Sequence, residues 1–153
     1  MKSKLLNDHG GKTFALVFDS GDEVIAGLTR FAEEHGLSAS HFTAIGAFSD
    51  VTLGYFERQR KDYRKIPVRE QVEVLSLVGD VALKDGHPKV HAHAVIGKAD
   101  GTAHGGHLLE AHVWPTLEVV LIESPRHLRR RMDETSGLAL IDLEAGPQEE
   151  RAA

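Results

Sequence analysis

The sequence predicts an α+β fold: one domain with a largely antiparallel β-sheet packed against one main helix. Three observations carry this expectation. The 153-residue length is that of one domain able to bury its own core. One capped, amphipathic stretch near the N-terminus reads as a helix. After it come many short apolar segments separated by turn residues, the pattern of an antiparallel sheet. The domain is expected to span 1–153, with its core over about 8–145 and a disordered tail, GPQEERAA, over 146–153.

The elements follow in chain order. Thr13 to Phe18 (TFALVF) is apolar and rich in β-formers, as a buried strand is. Ser20 and Glu23 have the S-x-x-E spacing of a capping box. Behind them Val24, Ile25, Leu28, Phe31 and Ala32 recur at helical spacing, and Gly36 supplies a stop, so a helix is expected over about 21–35. Residues 41–57 read as two strands meeting near Ser49-Asp50. Gln71 to Leu83 is a strand with Gly79-Asp80 inside it, where a bulge or bend is expected. Lys89 to Gly97 is another strand, closed by a tight turn at Ala99-Asp100-Gly101. His107 to Val113 and Thr116 to Ile122 are strands separated by Pro115, and Pro125 to Asp133 reads as a short second helix. Leu138 to Leu143 is the last expected strand. With a single main helix to cover the sheet, self-association is the expected way to protect its remaining face and edges.

Composition narrows the classes of function. No apolar run reaches the roughly 20 residues of a membrane span, and the N-terminus has no apolar signal region. There are no cysteines, so disulfides and thiolate metal sites are excluded and a cytoplasmic location is expected. A net charge of −5 hides two basic segments. Arg58 to Arg69 holds six basic residues against one acid, and Arg126 to Arg131 holds four arginines and no acid. Arg58, Arg60, Lys61, Arg64, Arg126, Arg129, Arg130 and Arg131 are therefore the candidate anion or nucleic-acid patch, against the plainer reading of solvated surface.

Histidine carries the strongest chemical signal. Six of the ten histidines lie between His87 and His112. His91 and His93 are two apart in a strand, so they share a face with Cα atoms about 6.5 Å apart. Their rings can converge on one ion, and His107 can supply a third nitrogen. Three protein ligands leave a fourth position open, as catalytic zinc sites do, for a water or a ligand carboxylate. The competing reading is ordinary hydrogen-bonded or surface histidines. Gly105 and Gly106 suit either a hairpin or bulge with positive φ, or close approach to a bound group. His104 is a candidate accessory group, and Glu118, an acid in an apolar strand, either accepts from a histidine N–H or faces solvent. His87 reads as turn chemistry, and His112 shares strand parity with Glu110.

The stretch PKVHAHAVIGKADGTAHGGHLLEAHVWPTLEVVL resembles the signature of the PPC (plants and prokaryotes conserved) domain: P-x-x-H-x-H, a DG turn, GGHL, then P-T-x-E-V. EQVEVLSLVGDVAL, FTAIGAF and TFALVFDSGDEV are similar to further segments of that family, in its order. The resemblance implies an α+β domain in a homotrimer, and a histidine cluster that holds a metal, carried here onto His91, His93 and His107. In plants the domain is fused to AT-hooks that bind A·T-rich DNA, but the R-G-R-P core of that hook is missing from this chain. The leading expectation is thus a homotrimeric metal- or small-molecule-binding protein. Its ion is expected to be divalent, with zinc suggested by the nitrogen-only ligands, and catalysis is left open. The alternatives are a DNA-associated regulator acting through the basic segments, and a scaffold whose assembly is the function.

Overall fold

The structure is a computed structural model and describes residues 1–124 and 127–144. It contains nine strands, β1 Lys2–Asn7, β2 Thr13–Asp19, β3 Ala39–Glu57, β4 Asp62–Val68, β5 Val72–Lys84, β6 His87–Gly97, β7 Ala103–Glu123, β8 Arg129–Asp133 and β9 Leu138–Ile141, and one helix, α1 Val24–Glu34. All nine strands belong to one sheet, ordered β1-β2-β7-β3-β5-β8-β9, with β4 added to β3 and β6 bridging β5 and β7. Because β3 and β6 each pair with both β5 and β7, these four strands close on themselves. The pairing is antiparallel except for a short parallel contact of β8 on β5. The expected α+β class thus stands, with the sheet dominant.

The helix begins three residues later than the capping box suggests. Glu23 is its own N-cap: its carboxylate accepts from the Ile25 and Ala26 amides at 3.2 and 2.6 Å. Ser20 instead donates its hydroxyl to the Pro115 carbonyl. Val24, Leu28, Phe31 and Ala32 are buried as the periodicity requires. Gly36 ends the helix at φ +62. Phe31 meets Phe14 edge-on at 5.1 Å, tying α1 to β2 in the main core.

Several expected boundaries dissolve. Residues 39–57 form one 19-residue strand, because register shifts around Gly46 and Phe48 let the backbone bend while pairing continues. Residues 103–123 likewise form one strand through Pro115, whose peptide bond with Trp114 is cis. The partners of β7 on β2 and β3 pair on either side of these two residues, so the proline's missing N–H interrupts no ladder bond there. No register shift falls at Gly79-Asp80; the shift lies between Val74 and Ser76. The expected second helix is a strand, β8, with Pro125 and Arg126 outside the described residues. The expected tail at 146–153 also lies outside them. β1 and β4 are strands that the polar, basic sequence conceals, and β4 pairs with β3 alone.

Candidate metal centre

Strand alternation places the three histidines. In β6, Val90, Ala92, Ala94 and Ile96 point into the core, so His91 and His93 point out. His93 lies directly opposite His107 of β7, and Val78 of β5 lies opposite His93 on the other side. One row therefore crosses the sheet from Ala15 through Val120, Thr43, Val78 and His93 to His107. On this outer face Val17, Ile45, Val78 and Val120 are exposed apolar side chains.

The imidazoles converge. One nitrogen from each of His91, His93 and His107 lies within 4.8 Å of the other two. The His91 and His93 Nε2 atoms are 3.2 Å apart. Two nitrogens at the zinc–nitrogen distance on a tetrahedral ion stand about 3.3 Å from each other, so this pair already has the required bite. His107 Nδ1 is buried without a hydrogen-bond partner among the described residues, so one nitrogen of this ring is not tied up by the protein. The donor set therefore fits a divalent ion that accepts imidazole nitrogen.

The surroundings favour the neutral form of His107 and His91, the form that ligates. Burial, followed by the neighbouring His91 and His93, pushes His107 down to about 4. Burial and then the Arg130 guanidinium lower His91. Tyr63 of β4 stacks on His107 with ring centroids 4.5 Å apart. Gly54 makes room for that ring: a methyl group there would stand 2.8 Å from Tyr63 Cδ1. Asp80, opposite His91 in the ladder, accepts from the Arg130 guanidinium and lies 3.9 Å from His91 Nδ1. The Arg130 guanidinium is nearer still, 3.5 Å from His91 Nδ1, so this ring edge faces the Asp80–Arg130 pair.

The Plants and Prokaryotes Conserved (PCC, or PPC) domain matches residues 6–125. The chain belongs to this family. Among solved structures, this PPC-domain protein is similar to a plant- and prokaryote-conserved protein from Pyrococcus horikoshii. Identity is 32%, coverage 92% of this chain and 94% of that one, and the TM-score 0.82. It is also similar to a metal-containing protein from Archaeoglobus fulgidus, at 38% identity, 90% and 98% coverage and a TM-score of 0.80. A candidate DNA-binding protein from Bacteroides thetaiotaomicron gives 25% identity, 94% and 99% coverage and a TM-score of 0.84. No curated protein matches the chain.

Other residues singled out by sequence lie elsewhere in this PPC domain. Gly105 and Gly106 adopt no positive φ and make no bulge; they lie in the β6–β7 ladder opposite Val95 and Ala94. Gly106 allows close approach, but to strand β3: a methyl group there would stand 2.9 Å from the Gly54 carbonyl. His104, three residues before His107 in an unbroken ladder, falls on the opposite face. Glu118 is exposed, eleven residues along β7 from His107, opposite Val17 and Ile45. His87 starts β6 opposite Lys84 after a turn with positive φ at Asp85 and Gly86. His112 pairs with Asp50 at 2.9 Å rather than with Glu110.

The basic segments are largely committed within the chain. Arg60 and Arg64 both bind Glu57, and Arg131 binds Asp142. Lys61 donates to the Glu134 carbonyl, joining the β3–β4 turn to the β8–β9 turn. Arg129 Nε is buried, and the Arg130 side chain is only 6% exposed. Arg58 is exposed, and Arg126 lies outside the described residues. Sequence reasoning assigned Arg130 to a surface patch, whereas it stands beside His91. It also passed over Tyr63 and Gly54, and read Asp80 only as part of a bend.

Proposed function

We propose that this PPC-domain protein binds one divalent metal ion per chain, zinc by preference, through His91, His93 and His107. The observation that carries this reading is the convergence of three imidazole nitrogens within 4.8 Å, two of them 3.2 Å apart. The metal-containing relative from Archaeoglobus fulgidus supports it. A nitrogen-only set suits zinc, and the absence of cysteine suits a reducing, cytoplasmic setting. Bound there, the ion would offer an open position for a water of lowered pKa or an anionic ligand. The chain's own part is to hold three converging rings, with Tyr63 stacked on His107 and Asp80 beside His91.

The protein acts as a homotrimer in this reading. Support comes from the apolar outer face, since Ile45 is 62% and Val78 49% exposed. Isolated chains rarely leave such a face to water. A copy seated there would border His93, which shares its row with Val78 and Thr43. The DNA-binding alternative draws on the Bacteroides thetaiotaomicron relative. Against it stand the net charge of −5, the burial of the Arg130 side chain against Asp80 and the acid partners of Arg60, Arg64 and Arg131.

Elemental analysis of protein purified without a nickel column tests the metal. Near one zinc per chain is expected, lost in the His91→Ala/His93→Ala variant. Metal below about 0.1 per chain, unchanged in that variant, would sink the proposal. Light scattering tests the assembly, with three chain masses expected and a monomer refuting the trimer.

A further inference from the structure

Beside the histidines lies a cavity of about 340 Å³ with two kinds of wall. Ile25 of α1, Leu109 of β7 and Leu138 and Leu140 of β9 form an apolar side. His91, His107, Lys89 and Arg130 form a side that offers nitrogen and positive charge. Among the described residues no carboxylate lines the cavity, and Asp80, 3.9 Å from His91 Nδ1, is already held by Arg130. The β8–β9 hairpin closes it, and Arg130 anchors that hairpin by donating to Asp80 and to the Ala139 carbonyl. Arg130 Nε is buried and has no partner. A wall that carries Lys89 and the guanidinium of Arg130 with no lining acid among the described residues, beside three imidazoles able to hold a cation, suits an anion.

We propose that this cavity binds a small monocarboxylate with an apolar body, its carboxylate toward the metal, Lys89 and Arg130 and its hydrocarbon against the β8–β9 hairpin. The volume equals that of about eleven waters of liquid, which suits on the order of ten to fifteen non-hydrogen atoms. A phosphate ester fits less well. Arg130 already donates to the Ala139 carbonyl and shares its charge with Asp80, which leaves Lys89, among the described residues, as the cavity's uncommitted cation, a better match to a singly charged carboxylate than to a doubly charged phosphate. A carboxylate needs only one cation besides the ion, and exposed Lys89 supplies it. The inference rests on the metal reading above for the ligand's anchor; the choice of ligand class comes from the cavity walls.

The probe is hexanoate, titrated into the zinc-loaded full-length chain by calorimetry and by methyl NMR, with 1-hexanol, hexylamine and inorganic phosphate as comparisons. Hexanoate is expected to shift the Leu138 and Leu140 methyl signals and to bind at least about tenfold more tightly than hexanol, with hexylamine not binding. Lys89→Met is expected to weaken hexanoate about tenfold, and Leu140→Asp to abolish it through repulsion. Both positions are exposed, so these variants fold even where Arg130→Met does not. Equal affinity for hexanol, displacement of hexanoate by phosphate, or binding unchanged in both variants each overturns the proposal. Zinc content is measured on the same samples. Zinc-free protein refutes the metal reading, while zinc-loaded protein indifferent to hexanoate refutes this inference alone.

Discussion

Deleting one imidazole should separate the stability that a metal adds from the stability of the fold itself. His93 is the ligand to remove. It is exposed on the outer face, and its ring nitrogen contacts His91 Nε2 at 3.2 Å. His93→Ala therefore leaves no core cavity, and the metal-free variant is expected within about 0.5 kcal/mol of the parent. A ligand that binds only the folded state adds RT ln(1 + [L]/Kd), or about 2.7 kcal/mol when free zinc is a hundred times Kd. In a chain of 153 residues each kcal/mol moves Tm by about 2–4 °C, so zinc should raise the parent by about 5–11 °C. Outer-shell changes alone weaken metal binding up to about a hundredfold, and losing a direct ligand costs at least that. The same zinc concentration then equals Kd or less and adds about 0.4 kcal/mol, or 1–2 °C. The assay is scanning calorimetry with chelator and with zinc, at one protein concentration because assembly makes Tm concentration-dependent. An undiminished zinc shift in His93→Ala would refute the assignment.

Three further expectations follow from the geometry. Metal-free protein should lose stability as pH falls from about 6.5 towards about 4, because the unfolded chain takes up protons that folded His107, and in part His91, refuse. Urea midpoints at pH 7 and 5 should show the drop, and His107→Phe, which keeps a ring against Tyr63, should flatten it; an equal slope in the variant contradicts the cause. The Asp50–His112 pair behaves differently, since hydrogen bonding lowers Asp50 and raises His112. Its contribution is present above the ordinary carboxylate range, is lost as pH rises through the raised His112 value, and is about 0.2–1 kcal/mol for so exposed a pair. In Asp50→Asn the His112 resonance should titrate lower by NMR; an unmoved titration would count against the pairing. Gly79→Ala would place a methyl group 2.4 Å from Phe42 Cζ and 2.5 Å from the His91 carbonyl, costing about 1–3 kcal/mol or more and prising β6 from β5 at the site. A lower urea midpoint with zinc affinity intact would show that the strain stays in the core.

The fold and the triad were legible because both follow from short-range periodicity. Val24, Leu28, Phe31 and Ala32 repeat at helical spacing and are buried together, while His91 and His93 share parity and share a face. What sequence could not give was pairing between distant strands. The opposition of His93 to His107 comes from β6 and β7 folding back at the turn around Gly101, and that turn was readable. Tyr63 reaches His107 only because β4 lies beside β3 and Gly54 leaves its ring room, a coincidence of three segments. The long strands were read as broken at Ser49 and Pro115, because local turn signals do not reveal bulges that let pairing continue. Glu23 shows the same limit on a smaller scale: a carboxylate three residues after a serine can cap the helix directly.

Arg130 shows how charge alone misleads. In sequence it is one of four arginines without an acid, and in space its guanidinium meets Asp80 beside His91. The result is a chain of contacts from the triad through His91 and Asp80 to Arg130 and on to the Ala139 carbonyl of β9. A positive ion on His91 strengthens the demand for negative charge behind the ring, and Asp80 is the group that meets it. Any shift of Asp80 towards His91 draws on the carboxylate that also holds Arg130, the anchor of the β8–β9 hairpin. The same hairpin forms the apolar wall of the cavity. In the proposed metal-bound state one carboxylate would thus serve both the triad and the hairpin, and Asp80→Asn is expected to lower zinc affinity and shift the Leu138 and Leu140 methyl signals together; a change in only one of them refutes the coupling.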